Sequence, residues 1–363
     1  MELKGYMLLK ELCELVGPSG FEQDVQRYIK TSIEDKVSKL EVDALGNVIA
    51  TISATDPSMP SILLAAHADE IGFIVKKIEA NGTLRFEQLG GFDNRTLLAQ
   101  PVTIKAESGY IRGVIGTLAV HYVKWDDPKR IDSHRQLYID IGAASPEEVA
   151  QMGVKVGQPI SYGSELKQIG DAKQNRVVGK GLDDRAGCAV LIELIEQFHT
   201  ATDRPHGDIH FAFTVQEEVG LRGASVLSSN LQPDFALAID TTPTSDTYDV
   251  LMTGTRTLGA GPCIKIADKS LISHPLVTGL LEKAAIERGI PYQQEIFMGI
   301  GTDAGAIHTT AKGVSSGVVS IPSRYTHTPI EIVDLTDLEN TVRLVEAFIL
   351  SSAQLTGKTF LDT

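Results

Sequence analysis

The stretch Ile209-His210-Phe211-Ala212-Phe213-Thr214-Val215-Gln216-Glu217-Glu218 decides the fold. Its apolar run from Ile209 to Val215 predicts a buried strand, and only Gln216 separates that run from two adjacent carboxylates. In an open α/β sheet, ligands bind in the crevice outside the carboxyl ends of the strands. If the chain stays extended to its end, alternation sends the two carboxylates different ways. One is then free to bind a cation and the other to handle a proton.

Residues of the same chemistry recur at the ends of other apolar runs. Ser61 to Ala66 leads into His67, with Asp69 and Glu70 close behind. Gly179 to Leu182 leads into Asp183 and Asp184, Phe235 to Ile239 into Asp240, and Val318 to Ile321, through a short polar loop, into His327. Each has a plainer reading alone. A histidine after a strand can be satisfied by one hydrogen bond, Asp183 and Asp184 can cap a helix, Asp240 can form a turn, and Glu217 with Glu218 can be a solvated strand end. Core packing does not require five such endings, and one shared site explains them together.

Two imidazoles with three or more carboxylates and no nearby thiolate suit zinc, cobalt or manganese better than copper or an iron–sulfur cluster. Two divalent ions held close together need a carboxylate that spans both, and Asp183 is the natural candidate. A carboxylate beside an activated water can take its proton. This chemistry hydrolyses an amide.

At this point the chain resembles the tetrahedral and glutamyl-aminopeptidase-like enzymes of metallopeptidase family forty-two, over essentially its whole length. The segments that carry the resemblance are Gly-Pro-Ser-Gly-Phe-Glu at 17–22, Ala-His-Ala-Asp-Glu-Ile-Gly-Phe at 66–73 and Gly-Leu-Asp-Asp-Arg-Ala-Gly at 181–187. Gln-Glu-Glu-Val-Gly-Leu-Arg-Gly at 216–223, Asp-Thr-Thr-Pro at 240–243, Gly-Thr-Asp-Ala-Gly at 301–305 and Tyr-Thr-His-Thr-Pro-Ile-Glu at 325–331 complete the set. The resemblance implies that His67 and Asp240 hold one metal, Glu218 and His327 the other, with Asp183 bridging. Glu217 would be the general base that deprotonates the attacking water and returns a proton to the leaving amine. Asp69 would orient the His67 imidazole, and Asp184 would support its loop without ligating. The cofactors implied are two divalent ions per subunit, zinc, cobalt or manganese. The partners implied are short peptides and copies of the same chain, with the inserted domain mediating assembly into a homo-oligomer, typically a dodecamer in a tetrahedral shell.

Composition agrees. The 363 residues suggest two domains, and 42% hydrophobic content with mean hydropathy near zero predicts a soluble globular protein. A formal charge of −14 argues against nucleic-acid or anionic-membrane partners. Cys13, Cys188 and Cys263 lack metal-type spacing and read as reduced packing residues, which fits a cytoplasmic protein. No segment approaches the roughly 20 apolar residues of a membrane span, and the first ten residues do not read as a signal peptide.

Periodicity predicts a first helix striped by Leu8, Leu12 and Leu15. Ser19 and Glu22 predict a capping box for a second, whose apolar face is Phe21, Val25, Tyr28 and Ile29. Strands are expected around Val48 and Leu63, and helices over 185–198, 276–288 and 338–350. Between about Ile74 and Lys167 the texture turns to short alternating runs with Gly-rich turns and a brief helix near 146–152. The fold expected is therefore α/β: a mostly parallel central sheet flanked by helices, as in zinc peptidases, over residues 1–73 and 168–363. A small β-barrel-like, β-rich domain is inserted at 74–167.

His199, His206 and His210 read as parts of a surface connection. His121, near Tyr122 and Trp125, is kept as a substrate-side candidate, and His308 faces either a substrate channel or the core. The resemblance places the specificity pocket near 253–261 and 297–307. There Arg256 would favour an acidic residue, whereas Met298, Ile300 and Ile307 would favour a leucine-like one; a neutral or broad preference is expected. The leading function is a metal-dependent aminopeptidase. Its rivals are a dinuclear deacylase or carboxypeptidase acting on N-blocked substrates, a glycosidase that would leave both histidines without work, and a non-catalytic scaffold.

Overall fold

The computed structural model describes residues 3–119, 121–122, 133–170, 175–201, 203–227, 231–248 and 254–362. The chain begins with helices α1 (Leu3–Glu14) and α2 (Gln23–Ile33), then strands β1 (Lys39–Val42), β2 (Val48–Ile52) and β3 (Ile62–His67). Six strands follow: β4 (Gly72–Ile78), β5 (Leu84–Leu89), β6 (Pro101–Ala106), β7 (Gly109–Ile115), β8 (Ile139–Asp140) and β9 (Pro159–Tyr162), with α3 (Pro146–Gln151) before the last. Next come β10 (Lys167–Ile169), β11 (Arg176–Gly179), α4 (Leu182–Thr200), β12 (Ile209–Thr214), α5 (Arg222–Leu227) and β13 (Phe235–Pro243). The chain closes with β14 (Cys263–Asp268), α6 (Pro275–Arg288), β15 (Gln293–Phe297), α7 (Ala304–Ile307), β16 (Ser315–Arg324), β17 (Glu331–Asp334) and α8 (Leu335–Ser351).

One large sheet runs β1-β2-β12-β3-β13-β16-β17-β11-β10, with β14 added on β16 and β15 on β14. The expected parallel sheet is its centre, where β12, β3, β13 and β16 run parallel; most of the flanking pairings are antiparallel, so the whole sheet is mixed. Register explains the layers. Ile62 lies opposite both Ile209 and Phe235, so Ile62, Leu64 and Ala66 share a face with Phe211, Phe213, Leu237 and Ile239. Helices α1, α2, α4, α6 and α8 cover that face and close the main core. The opposite face carries Leu63, Ala65, Ala212 and Ala236 under α5 and α7, and alternation puts His67 and Asp240 on it. Leu64 is fully buried in the main core. Its replacement by Ala should cost about 2–5 kcal/mol, read as a lower denaturation midpoint.

Strands β4-β5-β8-β7-β6-β9 close into a barrel between β3 and β10. Its interior centres on Phe73, whose ring meets Phe86, Phe92 and Tyr162 edge-on at centroid separations of 5.0, 5.1 and 5.3 Å. The barrel touches the sheet domain at specific points. An added Cβ on Gly90, whose φ is +81°, would lie 2.7 Å from Ile71 and 3.3 Å from the Glu218 Cβ, and one on Gly91 would lie 3.7 Å from the His327 ring. Ser164 Oγ also donates to the Pro329 carbonyl at 2.6 Å.

Two local expectations are corrected. The buried stripe of α1 is Leu9, Leu12 and Cys13, continued by Val16; Leu8 is half-buried and Leu15 follows the helix end. The Ser19/Glu22 capping box does not form, because α2 is entered at Glu22 without a side-chain cap. Ser19 Oγ donates to Asp69 at 2.6 Å, and Glu22 accepts the N–H groups of Gly20 and Gln216. A local capping motif has yielded to contacts across the fold.

Candidate metal centre

The deciding stretch does not stay extended to its end. β12 stops at Thr214, Gln216 takes a left-handed φ of +55°, and the chain turns so that Gly220 and Leu221 donate back to the Glu217 carbonyl. What presents Glu217 and Glu218 is therefore a turn. Asp69 fixes it: one carboxylate oxygen accepts the Glu217 N–H at 3.0 Å and the other the Glu218 N–H at 3.2 Å. Asp69 is fully buried at the start of the loop that leaves β3, and its backbone carbonyl lies 3.2 Å from His67 Nδ1. Its carboxylate stands 3.6 Å from the same nitrogen, so it holds the two glutamate backbones more closely than the imidazole.

The candidates drawn from separate runs converge at one edge of the sheet. His67 Nε2 lies 3.2 Å from Asp183 Oδ1 and 3.7 Å from Asp240 Oδ1. His327 Nε2 lies 3.5 Å from Asp183 Oδ2 and 3.2 Å from Glu218 Oε2. Each imidazole thus faces a different oxygen of the same aspartate. The donor atoms of His67, Asp183 and Glu218, and those of His67, Asp184 and Asp240, lie within 4.8 Å of one another, close enough to surround a cation. Glu218 Oε1 is buried with no hydrogen-bond partner, an acceptor of the kind a metal would satisfy. The donor set and this orphaned oxygen fit divalent metal binding.

The electrostatics are those of crowded carboxylates around two imidazoles. Burial opposes protonation of His67, but Asp183, Asp240 and Asp69 outweigh it and hold its pKa well above the usual histidine value. Burial is likewise outweighed at His327 by Glu218 and Asp183. Burial pushes Glu217 well above the ordinary glutamate range; His67 opposes this, while Asp240, Asp303 and Glu218 add to it. Cations among these groups would relieve the repulsion.

A further set of acidic side chains engages backbone N–H groups or side-chain donors. Asp184 accepts the His67 N–H at 3.3 Å and the Gly187 N–H at 3.0 Å. Glu331 accepts the N–H groups of Asp183 and His327. Glu70 binds Lys180 Nζ at 2.9 Å, Ser161 Oγ at 3.0 Å and the Gly17 N–H at 3.1 Å. Asp303 accepts from Thr214 Oγ1, and burial, opposed by His67, pushes its carboxyl up to about 7. Sequence reasoning gave Glu331 and Asp303 no role, although both stand inside the quoted segments. Nothing in spacing distinguishes a carboxylate that binds a cation from one that binds an amide.

Residues 46–344 match the profile of the M42 glutamyl aminopeptidase family. The chain belongs to that family. It is 32% identical to the lysyl aminopeptidase of Pyrococcus furiosus over 94% of this chain and 96% of that one. It is also 32% identical to the glutamyl aminopeptidase of Lactococcus lactis subsp. cremoris, over 94% and 95%. Among solved structures, the aminopeptidase APDkam598 of Desulfurococcus kamchatkensis superimposes with a TM-score of 0.90 at 38% identity, covering 98% of each chain. The TET1 peptidase of Pyrococcus horikoshii, described as assembling into a tetrahedron or a large octahedral shell, superimposes with a TM-score of 0.86 at 34% identity, over 96% and 99%.

The remaining candidates of this M42 aminopeptidase fall away from the cluster or into packing. Arg256 is buried, its Nε donates to the Pro243 carbonyl at 2.7 Å and its guanidinium sits 4.7 Å above the Phe297 ring. His308 Nδ1 pairs with the Ala304 carbonyl of its own short helix. His206 is not part of an exposed connection: it is buried edge-on against Phe198 and pairs with the Gly207 carbonyl. His210, on β12, meets Thr51 Oγ1 at 3.0 Å. His121, in the connection between β7 and β8, is exposed, and Trp125 and Thr253 lie outside the described residues. Among the described residues no helix is long and apolar enough to cross a membrane.

Proposed function

We propose that this M42 chain is a dinuclear metallo-aminopeptidase in which His67 and Asp240 hold one divalent ion, Glu218 and His327 the other, and Asp183 bridges. The observation that carries the reading is the split of Asp183, with one oxygen 3.2 Å from His67 and the other 3.5 Å from His327. Zinc or cobalt suits the mixed imidazole and carboxylate donors, and manganese less so. When bound, two such ions supply Lewis-acid polarisation of the scissile carbonyl and acidify a water.

Glu217 is the general base. Its turn is pinned by Asp69, and it takes a proton from the attacking water, whose oxygen forms the new C–O bond. The same proton passes to the leaving nitrogen as the C–N bond breaks. Short peptides with a free amino terminus are the substrates. Arg256, engaged with Pro243 and Phe297, is a packing group, which favours a neutral or broad side-chain preference over an acidic one.

The sheet domain, which β4 leaves at Gly72 and β10 re-enters at Lys167, is the catalytic unit and the inserted barrel the assembly unit, forming a dodecamer by analogy with the TET1 relative. The three buried free cysteines fit a reducing cytoplasm. The test is hydrolysis of leucyl, glutamyl, lysyl and N-acetyl-leucyl chromogenic amides by protein stripped with chelator and resupplied with zinc or cobalt. Activity should vanish on stripping and return on resupply, for free-amine substrates alone. Cleavage of the acetylated compound would favour the deacylase instead.

A further inference from the structure

We infer that Glu331 is a positioning residue that clamps Asp183 and His327 into register with each other. β17 lies between β16 and β11, antiparallel to both, so its first residue stands at the edge where its two neighbours end. That first residue is Glu331, opposite Gly179, the last residue of β11. The chain leaving β11 carries Asp183, and the chain leaving β16 carries His327. Both segments therefore pass the Glu331 carboxylate. Its Oε2 accepts the Asp183 N–H at 3.0 Å and its Oε1 the His327 N–H at 2.8 Å.

The clamp has something to restrain. His327 and Tyr325 hold left-handed φ values of +63° and +58°, a backbone conformation that non-glycine residues keep only when their surroundings impose it. An N–H accepted by a buried carboxylate is such an imposition, and Glu331 is only 1% exposed, with both oxygens used. It aims the imidazole of His327 at one oxygen of Asp183 while holding the backbone of Asp183 itself. Distance between Asp183 and His327 is thereby set by one side chain whose two oxygens are both taken by backbone N–H groups.

This inference rests on the proposed roles of Asp183 and His327, and the experiment separates the two. Glu331→Gln keeps size and one acceptor oxygen but sets an amide NH2 against one of the two N–H groups. Full-length protein stripped with chelator is titrated calorimetrically with zinc, and the visible spectrum of its cobalt form is recorded. At least one of the two equivalents should bind about ten- to a hundredfold more weakly in Glu331→Gln. Its cobalt spectrum should change, and kcat should fall with KM close to that of the wild type. Two equivalents bound as tightly as in the wild type, with an unaltered spectrum, overturn the clamp. Wild-type protein that binds no second equivalent overturns instead the two-metal reading on which it rests. Should the variant not fold, hydrogen exchange in the stripped wild-type protein decides: slow exchange of the Asp183 and His327 amides is expected, and exchange as fast as in exposed turns refutes the clamp.

Discussion

Replacing Glu217 by Gln should lower kcat by about 10²–10⁴-fold while both divalent ions remain bound. The amide is nearly the size of the carboxylate and leaves the backbone contact untouched, because Asp69 grips the Glu217 N–H and not its side chain. What disappears is the capacity to accept a proton. The pH profile gives a second reading of the same change. Burial raises the Glu217 carboxyl, Asp240, Asp303 and Glu218 reinforce that, and His67 opposes it. A base must be ionised to work, so wild-type kcat falls as pH drops through its pKa, and the variant should lose this acidic limb. Steady-state kinetics from acid to neutral pH, with metal content by elemental analysis, checks both halves. Full activity in a metal-loaded variant would remove Glu217 from the mechanism.

Asp183→Ala should be as severe for a different reason. Its two oxygens face two imidazoles, so removing them unmakes both halves of the site at once. Affinity for both ions should drop by roughly a hundredfold or more, beyond the usual effect of changing a residue that only supports a ligand. Activity should be lost and should not return with added metal at levels that saturate the wild type. Loss of one ion with retention of the other would mean that Asp183 serves a single metal. In the stripped protein two protonated imidazoles hold the Asp183 carboxyl below the usual range in spite of its burial, so the substitution also leaves those rings facing Glu218 and Asp240 without their shared partner. A lower melting temperature should accompany the loss of binding.

The layered sheet and the meeting of several run ends in one cluster were legible from simple periodicity, whereas singling out His67, Asp183, Glu218, Asp240 and His327 took the family resemblance. Apolar runs name the strands, and a parallel centre sends their carboxyl ends to one edge. What lies between these residues was not legible. Gln216 carries no mark of a left-handed conformation, yet that one residue turns the chain and decides how Glu217 is presented. Ser19 and Glu22 match a helix cap in spacing and chemistry, but Asp69 and Gln216 arrive from 50 and 194 residues away and claim them. The mixed flanks of the sheet escaped for a related reason, since a short buried strand reads alike in either direction. Local rules fail here where distant groups compete for the same hydrogen-bonding atoms.

Gly90 and Gly91 carry a lesson for protein engineering. Lacking side chains, they let the barrel come down onto Glu218 and His327, while Ser161 and Ser164 tie the strand leaving the barrel to Glu70 and Pro329. The barrel is thus a wall of the His/carboxylate cluster as well as a separate unit. Excising it to obtain a minimal enzyme would strip cover from the side chains of Glu218 and His327 and take from Glu70 one of its donors. A truncated sheet domain could keep all the residues of its chemistry and still lose the enclosure in which they act.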